Sequence, residues 1–307
     1  MRQVELSSSS KPATHHRLVI GDCRSMAEIP SGSIQLTVCS PPYFSAPHDY
    51  YGLFSSYEEY LSLLEDAGRE LWRVTEEGRV VVFVIDDMLV DGVRYPIVSD
   101  TVRIFQGIGF RNRDRIIWQK PAGYTVRSRR SGNLRKYKSP MYCYLDNRVE
   151  EIRIFQKGEF NYRSIPEHVR EASALDWEEV EAGKWYWNVW NITNVLPSAK
   201  LEKGIAAFPE QIPYRLIKLY SFVDETVLDC FAGSGTTMKV ARQLQRNSVG
   251  IEIRPELACV IRKKLGFGGL ATAGGDSDSF EVLPRADAPT GEVASLRSLL
   301  EGSASVG

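Results

Sequence analysis

Between residues 17 and 265 the apolar positions switch repeatedly between two spacings. RLVIG (17–21), IQLTVCS (34–40), RVVVFVI (79–85), RIIWQ (115–119), TVLDC (226–230) and SVGIEI (248–253) are short, nearly continuous apolar runs rich in β-branched residues and read as buried strands. Over residues 57–73, Tyr60, Leu61, Leu64, Ala67, Leu71 and Trp72 recur at three- and four-residue spacing and predict a helix. Further helices are predicted over 96–107 and 210–222, from about Thr236, and from Pro255. Strands alternating with helices predict an α/β fold whose mostly parallel sheet is covered on both faces.

The rhythm breaks over 120–200, where basic clusters, the β-like stretches MYCYL and EEIRIFQ, an acidic stretch and the aromatic run WYWNVWN follow one another. This interval reads as an inserted module between two halves of one domain, 15–119 and 201–266. Alternation places Trp185 and Trp187 on one face of an extended strand, and they and Trp190 read as packing rather than base-stacking residues. The Ser-rich residues 1–14 and the Gly-, Ala- and Ser-rich residues 267–307 read as a flexible lead and a flexible tail.

Composition narrows the function. The 307 residues, 43% hydrophobic and 25% charged, suit a globular domain with a large core. No run of 18 apolar residues occurs and the first residues have no apolar core, so neither a membrane span nor a secretory signal is expected. Five scattered cysteines without a CxxC spacing, together with four histidines, predict reduced cytoplasmic thiols and no metal site. The net charge of −1 alone argues against a polyanion partner, but its distribution reverses that. Residues 111–148 hold eleven Lys and Arg against two Asp, a local +9 that leaves the rest of the chain at −10. Arg127, Arg129, Arg130, Arg135, Lys136 and Lys138 form the densest part, interleaved with Ser and Gly, and are candidate phosphate contacts.

Two strings carry the chemistry. In DCFAGSGTT (229–237) a strand ends at Asp229 and a helix begins near Thr236. Gly233 and Gly235 permit a tight turn and close backbone approach, and the helix N-terminus presents free N–H groups to a ligand. The next strand reaches Glu252, where a carboxylate is placed to accept from ribose hydroxyls. The string lacks the GK[ST] of a P-loop and the spacing of GxGxxG. In SPPY (40–43) two prolines remove two N–H donors and leave outward carbonyls beside the hydroxyl of Ser40 and the ring of Tyr43. Oxygen acceptors beside an aromatic platform suit an amino group on a planar heterocycle.

SPPY followed by FAGSGT resembles the amino-methylating DNA methyltransferases, and this motif order is similar to their β class, with target recognition between the two motifs. The resemblance covers about residues 17–265. It implies a Rossmann-like class I methyltransferase sheet in circularly permuted order, with 120–200 as the target-recognition region. It further implies S-adenosyl-L-methionine as cofactor, held by Asp22, Cys23, Ser40, Asp229, Phe231, Ala232, Gly233, Ser234, Gly235, Thr236, Thr237 and Glu252. Ser40, Pro41, Pro42 and Tyr43 match the catalytic tetrad, and Asp86 matches an acid at the end of the strand RVVVFVI; Asp86 or Asp87 is the candidate proton acceptor. Serine in the first tetrad position points to cytosine N4, with adenine N6 as the alternative. Double-stranded DNA is the implied partner, and a cognate restriction endonuclease in a prokaryote or phage a further one. An inactive DNA-binding relative and an RNA or small-molecule methyltransferase are the readings of other classes. No Pro-Cys dipeptide occurs, and Cys39 lies inside an apolar strand, so a cysteine nucleophile is not expected.

Overall fold

The computed structural model describes residues 13–45, 53–120, 148–193, 208–267 and 278–285. Nine strands form one sheet: β1 (His15–Ile20), β2 (Ile34–Cys39), β3 (Thr75–Ile85), β6 (Arg111–Gln119), β7 (Val149–Gln156), β8 (Val189–Asn191), β9 (Thr226–Asp229), β10 (Asn247–Glu252) and β11 (Ser279–Pro284). Their spatial order is β11-β1-β10-β9-β2-β3-β7-β6-β8. Among the described residues, only β7 runs against the other strands of this sheet, pairing antiparallel with both β3 and β6. Strands β4 (Met88–Val90) and β5 (Val93–Tyr95) make a separate hairpin. Its turn residues Asp91 and Gly92 both have positive φ, 49° and 82°, as a two-residue hairpin turn requires.

The helices are α1 (Tyr57–Val74), α2 (Ile97–Ile108), α3 (Glu167–Ala172), α4 (Trp177–Ala182), α5 (Gln211–Tyr220), α6 (Thr236–Gln243) and α7 (Leu257–Lys264). Alternation along β3 divides the core. Val81, Phe83 and Ile85 pack with Tyr60, Leu64 and Leu71 of α1 and Phe105 of α2. Val80, Val82 and Val84 pack with Ile212 and Leu216 of α5 and with Trp118 and Trp190. Both faces are therefore covered, as the apolar runs predict. Helix α1 starts where Ser56 accepts the Glu59 N–H at 3.1 Å while the Glu59 carboxylate accepts from Ser55 N at 2.7 Å, satisfying backbone donors on both sides of the first turn. Among the described residues, no helix is long and apolar enough to cross a membrane.

Three expectations need correction. The interval 120–200 does not stand apart from the sheet: EEIRIFQ becomes β7, inserted between β3 and β6, and β8 extends the sheet beyond β6. Ile152 and Ile154 on one face and Phe155 on the other are fully buried, as befits a strand covered on both faces. The tail expected from 267 contains β11, which pairs parallel with β1 along its whole length, from His15↔Ser279 to Ile20↔Pro284. Asp278 anchors its start by accepting from Thr14 N at 2.7 Å and from Arg242 Nε at 2.8 Å. Thr14 is accordingly buried rather than part of a loose lead. Finally, Trp185 and Trp187 do not share a strand face. They sit in the turn before β8, where Trp185 is buried and Trp187 is 54% exposed.

Truncation after Phe267 tests the role of β11. It leaves the β1 edge unpaired, so the melting temperature is expected to fall by about 4 °C or more and the amides of β1 to exchange faster with deuterium. An unchanged melting temperature and exchange pattern would show β11 to be dispensable.

Candidate active site

Strand β2 ends just before Ser40 and β9 at Asp229, and the two strands pair side by side in parallel through Leu36↔Val227 and Thr37↔Leu228. Chain leaving β2 proceeds through α1 to β3 on one side, and chain leaving β9 proceeds through α6 to β10 on the other. A crevice opens where adjacent connections diverge in this way, outside the carboxyl ends of the strands. Here it is a cleft open to solvent. Ser40, Pro41, Pro42 and Tyr43 line it together with Asp22, Phe231, Gly233 and Glu252. Two strings far apart in the chain thus share one wall. Thr237 Oγ1 donates to the Val38 carbonyl at 3.2 Å and ties the start of α6 to β2.

The 229–237 turn is built for backbone exposure. Gly233 and Gly235 have φ of 51° and 79°, the left-handed region that side chains disfavour. A Cβ on Gly235 would also stand 3.0 Å from Ile261 Cγ2. Gly235 caps α6 without a side-chain bond, so the helix N-terminus is left to other partners. Lys264 occupies the outer side of the turn, donating to Ser234 Oγ at 2.8 Å and Thr236 Oγ1 at 2.9 Å. Ser234, Thr236 and Thr237 are buried and do not line the cleft, whereas Phe231 and Gly233 do.

Of the three predicted cofactor-side acids, Asp22 and Glu252 line the cleft, whereas Asp229 is buried and does not. Glu252 is buried; its Oε2 accepts from Gly233 N at 2.8 Å and its Oε1 from Arg254 N at 2.9 Å. Burial alone would raise the Asp22 carboxyl, but the hydrogen bonds and charge of Arg24 bring it below its ordinary value. Arg24 holds it at 2.6 Å, and Arg285, just beyond β11, donates to the Asp22 carbonyl at 2.8 Å. Asp229 is pushed up to about 7 by burial, with the Glu252 charge adding to the rise and the Thr237 hydroxyl contact and the Phe231 N–H opposing it.

Asp86 and Asp87, expected as alternatives, differ in employment. Asp87 Oδ1 accepts Val98 N at 3.0 Å, at the start of α2, which is a capping task. Asp86 is pushed up to about 7, first by burial and then by the Glu150 charge, against the Asp87 N–H and Lys120. Cys39 is fully buried, its thiol raised by burial and its Sγ 3.6 Å from Cys230 Sγ, which agrees with rejecting it as a nucleophile. Arg127, Arg129, Arg130, Arg135, Lys136 and Lys138 lie outside the described residues. The cleft also takes in Glu59, Phe54 and Leu63, which the sequence pattern absorbs into helix α1 and its approach, with no separate signal.

The raised Asp229 has a pH consequence. The folded protein keeps its proton up to about 7 while the unfolded chain releases it near 3.8, so stability falls as pH rises through that window. The variant Asp229→Asn, which cannot ionise, is therefore expected to gain in melting temperature relative to the parent more at pH 8 than at pH 4. An equal difference at both values would exclude the shift.

Comparison with known proteins agrees with this architecture. The chain is 31% identical over 294 residues to the type II methyltransferase M.MjaI of Methanocaldococcus jannaschii, covering 83% of this chain and 92% of that one. It is 32% identical over 279 residues to the type II methyltransferase M.MthZI of Methanothermobacter thermautotrophicus, covering 82% and 77%. TTHA0409 of Thermus thermophilus, assigned as a DNA modification methylase and solved in complex with S-adenosyl-L-methionine, superposes with a TM-score of 0.68 at 28% identity, covering 88% of this chain and 99% of that one. Residues 34–263 match the N6/N4 methyltransferase family of DNA methylases, and the chain belongs to that family.

Proposed function

We propose that this DNA methylase is of the β class and transfers a methyl group from S-adenosyl-L-methionine to the exocyclic N4 amino group of cytosine in duplex DNA. The observation that carries this reading is the meeting of SPPY and the 229–237 turn in one cleft. Its cofactor side supports this reading: left-handed glycines expose backbone, Glu252 stands at the strand end suited to ribose hydroxyls, and Asp22 also lines the cleft. S-adenosyl-L-methionine supplies an electrophilic methyl on sulfonium when bound. The chain's residues supply orientation.

An exocyclic amine is a weak nucleophile because its lone pair is delocalised into the ring. Ser40 Oγ and the Pro41 carbonyl are acceptors for its two protons, and holding both favours a pyramidal nitrogen whose lone pair is available. Tyr43 offers a flat face for a base extruded from the stack. Attack then depends on alignment more than on a strong base, and no covalent bond between enzyme and base is needed. Serine at the first tetrad position supports cytosine over adenine. The basic segment 127–138, within the proposed recognition region 120–200, supports DNA as substrate over RNA or a small molecule.

Incubating DNA with labelled S-adenosyl-L-methionine and identifying the methylated nucleoside tests this directly. N4-methylcytosine is expected; N6-methyladenine would overturn the base assignment, and 5-methylcytosine the mechanism. The variant Ser40→Ala is expected to bind cofactor normally and lose about a hundredfold in turnover; full activity would remove Ser40 from the tetrad. Neutralising Arg129, Arg130 and Arg135 is expected to flatten the salt dependence of DNA binding, by about 0.9 in the log–log slope for each phosphate that is no longer neutralised. An unchanged slope would place DNA elsewhere.

A further inference from the structure

At the tetrad, several strand ends bring ionisable groups together. Tyr43 leaves the end of β2, Asp86 follows β3, Glu150 lies near the start of β7 and Lys120 follows β6. Because β7 is antiparallel to its neighbours, its first residues reach the same rim as the last residues of β3 and β6. The pairing Ile85↔Glu151 continues to set Asp86 beside Glu150, and the pairing Trp118↔Glu150 brings Lys120 close on the other side.

Glu150 uses both oxygens. Oε1 accepts from Lys120 Nζ at 2.5 Å, and Oε2 accepts from the Tyr43 hydroxyl at 3.3 Å. Lys120 and Glu150 side chains are only 12% and 17% exposed. Lys120 is itself fixed, its N–H donating to the Arg148 carbonyl at 2.9 Å and its ammonium lying 5.1 Å from the Trp118 ring centre. A buried ion pair of this kind is weak evidence for stability, because desolvation offsets much of the attraction. Its placement between the tetrad aromatic and a buried carboxyl is better explained by a role at the site.

We propose, on the footing of the methyl-transfer reading above, that Lys120 and Glu150 are positioning residues that link the tetrad to Asp86: Glu150 fixes the Tyr43 ring through its hydroxyl, and its charge, held in place by Lys120, faces Asp86 across the β3–β7 pair. The charged groups around Asp86 are Glu150 from β7, Lys120 beyond β6 and the adjacent Asp87. Glu150 and Asp87 disfavour a third negative charge there, and Lys120 favours it. Asp86 is thereby poised to take up a proton near neutral pH. In the transfer, the amino nitrogen bonds to the methyl carbon, the carbon–sulfur bond breaks with its electron pair left on sulfur, and the surplus amino proton leaves toward Asp86 and then water. Glu150 holds Tyr43 while Asp86 cycles the proton.

The test is a titration of the Asp86 carboxyl by ¹³C NMR in the full chain, without DNA, alongside the pH profile of methylation. The parent is expected to show Asp86 titrating at about 7. Glu150→Gln keeps an acceptor for Tyr43 but removes the charge, so the Asp86 midpoint and the acid limb of the rate profile are both expected to move down by about one pH unit. Glu150→Ala also removes this acceptor for the Tyr43 hydroxyl, and is expected to add a loss in kcat of about tenfold that Glu150→Gln does not show. The double variant Lys120→Met/Glu150→Gln leaves no unpaired buried charge and guards against misfolding of the single one; its midpoint is expected to move in the same direction by less. An Asp86 midpoint in Glu150→Gln equal to the parent's would overturn the electrostatic link, and equal kcat in Glu150→Gln and Glu150→Ala the positioning of Tyr43. Failure of the parent to methylate DNA would instead sink the underlying functional reading, while the NMR titration would still judge the link.

Discussion

The site depends on one short stretch of parallel pairing between β2 and β9. Two residue pairs, Leu36↔Val227 and Thr37↔Leu228, set the register of SPPY against the cofactor-type turn, and the neighbouring side chains reinforce it. Gln35 Oε1 accepts from Thr226 N at 2.9 Å at the start of the pair, and Thr237 reaches the Val38 carbonyl near its end. Cys39 and Cys230 meet just below the cleft, where small side chains let the strands remain close. A slip of one residue would turn Leu36 and Val38 away from α5 and move Ser40 off the cleft, so core burial and site geometry enforce the same register.

Burial then sorts the acids. Asp22 keeps an arginine and a solvent-facing position, Glu252 is held by two backbone N–H groups, and Asp229 has one N–H and a hydroxyl in full burial. The same residue type, at the end of equivalent strands, is therefore ionised in one place and near-neutral in another. What differs is the depth of burial and the arginine beside Asp22, because a buried carboxylate is stable only when donors or an opposite charge replace the water it loses.

Much of this is legible in the chain. The six apolar runs lie on strands of the large sheet, and the five predicted helices start within about two residues of where spacing places them, whereas α3 and α4 are not among those predicted. Both motifs sit at strand ends because their prolines and glycines cannot continue a strand or begin a helix elsewhere. Other elements are concealed by context. SFEVLP carries the alternation of a half-buried strand, with Phe280 and Val282 inward, but follows a Gly-rich stretch that reads as tail. The D-G turn of β4–β5 is a plain hairpin signal within a segment short enough to pass as a loop. EEIRIFQ looks β-like, yet nothing in its own residues says that it enters the main sheet, since strand order is a property of partners far away. Lys120 and Glu150 are hidden for the same reason. One belongs to a basic stretch and the other to a strand, and only the antiparallel direction of β7 makes them neighbours.

The position of β1 has a consequence for how the molecule comes to be made. Its two partners, β10 and β11, arrive much later, 232 and 264 residues on as measured from His16 to Ser248 and His15 to Ser279. During synthesis at ordinary ribosomal rates the apolar strand LVI therefore waits roughly 10–50 s before either neighbour exists. Its flanking residues His15, His16 and Arg17 are polar, which shields the waiting edge from other strands until its own partners emerge. A strand translated early is thus paired late, and the cleft beside it takes shape only once β10 and β11 have emerged.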